Sequence, residues 1–266
     1  SQGVTVIDDD PPPTVTLSVE TTLVGEIQGT TVILTATLSS ISSLPVTVTL
    51  NKSGLATNGV DYILADTITV LAMTPKNSTP LTIQADSLDE YDETILLDIG
   101  SVTNGTATGT QNVITITDDD PTPPAVLTID NTTIQEDTGS TTVTATINAV
   151  VGRDVNITLT KSGTGVESVD YTLPSTITIP AGSLSSSVSL KPVIDLFDEL
   201  DRTISFVMAC DVTCLVGSPS SHTVTLIDDD PPPTVTLSVG TAQMNEDIGT
   251  TTTDITVTLN NASRFD

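Results

Sequence analysis

Basic residues are scarce. The 266-residue chain has 7 Lys and Arg against 34 Asp and Glu, a net charge of −27. Binding to a phosphate backbone needs Lys and Arg, so this balance excludes nucleic acid as a partner, and it equally disfavours an anionic membrane surface. Aromatic residues make up 2% of the chain and Trp is absent, which argues against carbohydrate recognition by ring stacking. There is one His, His222, read as an ordinary surface residue. With no His cluster, no nucleophile–base pair and no Gly-rich phosphate loop, catalysis is not expected. No apolar run approaches the ~18 residues that a spanning helix requires, so direct membrane insertion is not expected.

Cysteine is nearly absent too. Cys210 and Cys214 are the only two, separated by Asp-Val-Thr. Two thiols cannot hold zinc alone, and His222 is a weak helper. They form either a small disulfide closing a strand-end loop, which fits an oxidising extracellular setting, or a pair of free thiols.

What the chain does have is Thr, Ser and Val in alternation, a composition that favours strands over helices. It also has Asp-Asp-Asp-Pro three times, at Asp8–Pro11, Asp118–Pro121 and Asp228–Pro231, with a period of 110 residues. Each copy lies between two alternating strand-like segments. Three adjacent carboxylates raise one another's pKa and repel, so a cation is the natural reason to keep them together.

The period divides the chain. Residues 1–10 read as the final strand of a preceding repeat, 11–120 and 121–230 as complete repeats, and 231–266 as the partial start of a third. In the first complete repeat the expected strands are Thr14–Val19, Val32–Leu38, Pro45–Asn51, Thr67–Leu71, Leu81–Ala85, Thr94–Gly100 and Asn112–Thr117. Seven short strands with Gly, Pro, Asn and Ser turns predict an all-β fold of tandem antiparallel Ig-like sandwiches. Lys52-Ser53-Gly54 returns as Lys161-Ser162-Gly163, and Asp61-Tyr62 as Asp170-Tyr171, now offset by 109. Both tyrosines read as packing anchors.

At the offset of 110, Val143, Ala145 and Ile147 align with Ile33, Thr35 and Thr37, whereas Leu34, Ala36 and Leu38 have the buried character. A one-residue slip reverses the faces of a strand, so a bulge or turn adjustment is expected after Gly29. A chain that opens with a final strand and closes with two initial ones reads as a window on a longer array. The other reading is strand exchange between identical chains.

More than half of the 34 acids fall in five clusters: the three triplets, Asp86–Glu93 and Asp195–Asp201. A solvated surface accounts for scattered acids but not for clusters at repeating places. In a sandwich, the loops after the fifth and seventh strands and the turn before the second can meet at one end. Calcium takes 6–8 oxygens and suits such loops.

The order Glu26, then Gly-Val-Asp61-Tyr62, then Asp86-Ser-Leu-Asp-Glu90-Tyr-Asp-Glu93-Thr-Ile, then Ile-Thr-Ile-Thr-Asp-Asp-Asp120 resembles the Calx-beta domain. That family includes regulatory domains of sodium–calcium exchangers and tandem repeats of large bacterial surface proteins. The resemblance implies Ca2+ ligands at Glu26, Asp61, Asp86, Glu90, Glu93, Asp118, Asp119 and Asp120 in the first repeat. In the second it implies Glu136, Asp170, Asp195, Glu199, Asp228, Asp229 and Asp230. Arg202 stands where Glu93 would recur, a departure that puts full occupancy of the second site in question.

Together these features lead to a secreted or cell-surface structural repeat: a stalk or filament segment stiffened by calcium at its proline-rich seams. Its partners would be neighbouring repeats of the same chain, or identical chains in a filament. A calcium-sensing or ligand-binding module is the alternative.

Overall fold

A computed structural model describes residues 3–4, 7, 9–109, 111–244, 246 and 252–262. The chain divides into two compact units, Ser1–Pro121 and Thr122–Asp266. The final strand expected at 1–10 lies partly outside the described residues, and its described members, Val4 and Ile7 among them, belong to no strand.

Unit 1 is built from β1 (Thr14–Val19), β2 (Leu23–Gly25), β3 (Thr31–Leu38), β4 (Val46–Gly54), β5 (Tyr62–Ile63), β6 (Thr67–Val70), β7 (Lys76–Ile83), β8 (Glu93–Thr103), β9 (Thr106–Ala107) and β10 (Asn112–Thr117). One sheet runs β5-β7-β3-β1-β9 and the other β2-β10-β8-β4-β6. Seven of these strands are the expected ones; β2, β5 and β9 are additions of two or three residues. The pairing is antiparallel apart from β1 with β9 and β10 with β2, two short edge pairings that are parallel.

Unit 2 repeats the design with β11 (Pro124–Ile129), β12 (Thr133–Gln135), β13 (Thr141–Ile147), β14 (Val155–Gly163), β15 (Tyr171–Thr172), β16 (Thr176–Ile179), β17 (Ser185–Pro192), β18 (Arg202–Cys210), β19 (Leu215–Val216) and β20 (Ser221–Ile227). Its sheets are β15-β17-β13-β11-β19 and β12-β20-β18-β14-β16. A separate two-stranded sheet joins β21 (Val235–Val239) to β22 (Ile255–Leu259), the two opening strands expected of the third repeat.

Alternation explains both cores. In β3, Val32, Leu34, Ala36 and Leu38 face inward; in β13, Thr141, Val143, Ala145 and Ile147 do. The inward sets are therefore offset by 109, and the expected turn adjustment lies between β2 and β3. Unit 1 runs Glu26-Ile27-Gln28-Gly29-Thr30 there, with Gly29 at φ 78°. Counted to the first inward residue, Val32 or Thr141, unit 2 has one residue fewer, and it closes through the Gly139 N–H donating to the Gln135 carbonyl. Each buried Leu, Ile or Val contributes about 1.5–3 kcal/mol. Tyr62 and Tyr171 are 1% and 2% exposed, the packing anchors the sequence suggests.

Two recurring motifs lock the frame. The Lys52 Nζ donates to the Leu64 carbonyl at 2.7 Å and the Asp66 carboxylate at 2.6 Å. Lys161 makes the same kind of clamp to Leu173 and Glu167. Gly54 and Gly163 have φ of 121° and 118°, and a Cβ at either would lie 2.1 Å from the carbonyl oxygen of Thr94 or Thr203. Only glycine allows this approach of β4 to β8, and of β14 to β18.

Cys210 and Cys214 form a disulfide, Cα–Cα 5.4 Å, closing the end of β18. His222 is half-buried rather than an ordinary surface residue: its Nε2 lies 2.9 Å from the Leu127 carbonyl and its ring faces Phe206. The β20 alternation turns it toward β11. Among the described residues no helix is long and apolar enough to cross a membrane.

Candidate metal centre

The acids of unit 1 gather where β2, β7 and β10 end and β8 begins. Glu26 follows β2 directly, Asp86 lies three residues beyond β7, Glu93 opens β8, and Asp118–Asp120 follow β10. Because β2 runs parallel beside β10, Glu26 and the triplet leave the sheet side by side. Oxygens of Glu26, Asp86 and Asp120 come within 4.8 Å of one another.

Backbone donors hold the loops in place. The Asp86 N–H donates to Glu26 Oε1 at 3.2 Å, and the Glu90 N–H to Asp118 Oδ1 at 3.1 Å. The Thr57 N–H donates to Asp61 Oδ2 at 2.6 Å, fixing the turn before β5. The Asp118 N–H donates to Asp92 Oδ1 at 3.2 Å.

The electrostatics show how crowded this end is. Burial first, then the charges of Asp86, Asp118 and Asp120, pushes Glu26 up to about 7. Glu93 also rises to about 7, driven by burial and then by Asp61, whose carboxyl hydrogen-bonds to it. Glu90 is raised by burial and by Asp86, Asp61 and Asp118. Asp120 is raised by burial and by Asp119 and Asp86. Of the eight acids named for unit 1, Glu26, Asp86 and Asp120 bring their oxygens together, and the charges of Asp61, Glu90, Asp118 and Asp119 act on Glu26, Glu90, Glu93 or Asp120. Asp119 is exposed, because successive side chains of extended backbone face opposite ways.

Unit 2 repeats the first group. Glu136, Asp228 and Asp230 bring oxygens within 4.8 Å of one another, and Glu136 is 6% exposed. Burial, then the Asp195 and Asp228 charges, pushes Glu136 up to about 7. Asp228 and Asp230 are raised as well, by burial and by neighbouring carboxylates. Asp228 Oδ1 and Asp230 Oδ2 are buried and have no hydrogen-bond partner. Asp170, buried, accepts from the Val166 N–H at 2.6 Å. Glu199 pairs with Arg202 at 3.5 Å. Asp229 is exposed and accepts from the Asp137 N–H at 3.3 Å.

The ligand set that the resemblance implies leaves out two acids. Asp89 is 3% exposed and its charge raises Asp120, and the charge of Asp137 raises Asp230. Asp89 lies inside a run already marked as acidic, and Asp137 adjoins Glu136; adjacency to those marks was the available signal.

No protein-family model matches the chain, and no curated protein matches it. Solved structures do. One is CBD12 from CALX1.2, at 14% identity, covering 71% of this chain and 78% of that one, TM-score 0.34. The apo-form Calx CBD1 domain matches at 16% identity over 40% of this chain and 98% of that one, TM-score 0.35. The adhesin InvE of Yersinia pseudotuberculosis matches at 13% identity over 80% and 58%, TM-score 0.42. Calx domains are thus among the solved structures this chain resembles.

Proposed function

We propose that both units bind calcium and that the chain is a structural, non-catalytic segment of a secreted or cell-surface protein. The observation that carries the reading is the pair of carboxylate triads, Glu26/Asp86/Asp120 and Glu136/Asp228/Asp230. The donor set fits the ion: every group is a carboxylate on a loop, which suits a hard divalent cation better than zinc or copper. Burial of Asp228 Oδ1 and Asp230 Oδ2 without a hydrogen-bond partner costs free energy that a cation would offset. Asp61, Glu90, Glu93 and Asp118 in unit 1, and Asp170, Asp195 and Glu199 in unit 2, complete the ligand shell. An ion there ties the ends of β2, β7 and β10 together and removes the repulsion among them.

The finer reading is an extracellular stalk or filament segment of an adhesin-like protein. The repeat of about 110 residues, the Pro11-Pro12-Pro13 and Pro231-Pro232-Pro233 runs and the disulfide support it. Length in such arrays grows by adding units, each contacting only its neighbours. Small-angle scattering of the chain in calcium and in chelator tests the stalk. A longer, stiffer particle in calcium is expected; unchanged dimensions with bound calcium would leave an ion-binding module without the stalk.

A further inference from the structure

One buried lysine recurs with a different acid in each repeat. The Lys52 and Lys161 side chains are 11% and 9% exposed. Both donate to the carbonyl of the leucine two residues after a core tyrosine, Leu64 or Leu173. Lys52 pairs with Asp66, whereas Lys161 pairs with Glu167. At the offset of 109 these acids are not equivalent: the counterpart of Asp66 is Ser175, and that of Glu167 is Asn58. The acid has moved while the ammonium and its carbonyl stay in place.

Each lysine grips the turn that presents Asp61 or Asp170. In unit 2 the grip is direct, because Glu167 lies within that turn. In unit 1 it passes through Leu64, whose N–H donates to Asn58 Oδ1 at 3.0 Å. The turns close alike: the Asp61 N–H donates to the Thr57 carbonyl at 3.0 Å and the Asp170 N–H to the Val166 carbonyl at 2.8 Å. Each carboxylate in turn accepts from the N–H of that same Thr57 or Val166 at 2.6 Å. Asp61 also hydrogen-bonds to Glu93, so this turn delivers its carboxyl to the acidic end.

We propose that Lys52 and Lys161 are positioning residues for calcium: without contacting the ion, they hold the turn so that Asp61 or Asp170 is set before the ion arrives. This rests on the calcium reading above. A carboxylate fixed in advance loses less freedom on binding. Groups that orient metal ligands change affinity about 10- to 100-fold when removed. The direct effect of a nearby ammonium has the opposite sign, because removing a positive charge by itself strengthens the binding of a cation.

NMR titration of the full chain with calcium, read at the amide signals of Asp61 and Asp170, follows the two units separately. High salt screens the charge of Asp66, whose side chain is 86% exposed. Under these conditions Lys52→Met, which keeps the apolar stem, is expected to weaken calcium about tenfold at Asp61 and to leave Asp170 unmoved. Asp66→Ser is expected to weaken it as well, and adding Asn58→Glu, the arrangement of unit 2, to recover the parent affinity. Parent or tighter affinity in folded Lys52→Met overturns the proposal. So does an Asp66→Ser chain that binds like the parent, or one that Asn58→Glu fails to restore; this pair decides the matter if Lys52→Met does not fold. A parent chain whose signals calcium does not move overturns the calcium reading itself, a distinct result.

Discussion

Glu26 accepts a hydrogen bond from the backbone N–H of Asp86 at 3.2 Å, joining two loops 60 residues apart. The contact is one neutral donor set against several nearby carboxylates, so Glu26 is held in a site that opposes its charge. Glu26→Gln keeps an acceptor and removes the charge. The metal-free variant is expected to melt at or above the parent, and its gain in melting temperature from calcium is expected to shrink. Calorimetry in chelator and in calcium checks both; a variant weaker than the parent in chelator and equal to it in calcium would contradict the assignment.

The same crowding fixes a pH dependence. Glu26, Glu93 and Glu136 stand near 7 in the folded chain against an ordinary 4.5. Between those values the folded state binds more protons than the unfolded one, so metal-free stability falls as pH rises through that window. Calcium competes with those protons, and its presence is expected to flatten or reverse the slope. Melting temperature against pH from about 4.5 to 7.5, with and without calcium, reads this out. General self-repulsion of the chain acts in the same direction, and a shallower slope in Glu26→Gln isolates the site's share.

Gly54→Ala places a Cβ against the Thr94 carbonyl at a φ of 121°. The expected cost exceeds about 1 kcal/mol. Gly163→Ala meets the Thr203 carbonyl and should behave alike in unit 2. Chemical denaturation of each variant checks the pair, and a neutral result in either would contradict the close approach of the strands.

Much of this was legible in the sequence, and the exceptions have physical reasons. The period, the seven longer strands and the convergence of Glu26, Asp86 and Asp120 follow from alternation and from where strands end in a sandwich. The strand expected at Leu81–Ala85 lies at Lys76–Ile83 instead. Its outer half, Lys76-Asn77-Ser78-Thr79, has the composition of a turn but pairs along β3 on the solvated side. Strands β2, β5 and β9 are too short to show a period, and β2 is the one that places Glu26 beside the triplet. The triplets read as three equal ligands, yet alternation leaves Asp119 and Asp229 exposed. The solvent side of His222 was misjudged because its hydrogen-bond partner, Leu127, is 95 residues away.

The disulfide belongs to unit 2 alone, which makes unit 1 an internal control. Closing so short a loop contributes about 2 kcal/mol in the chain-entropy account. Reduction is expected to lower the unfolding transition of unit 2 and leave that of unit 1 unmoved. Calorimetry with and without a thiol reductant checks it, and an equal shift in both transitions would contradict the local role.

The central claim is that calcium, held by clustered carboxylates at one end of each unit, is part of the folded state. Thermal unfolding of the full chain in calcium and in excess chelator tests it most directly. At calcium about 100 times its dissociation constant, each ion bound only by the folded state adds about 2.7 kcal/mol. The expected result is a melting temperature several degrees higher in calcium than in chelator, reversed by adding chelator. Superimposable melting curves under the two conditions would contradict it.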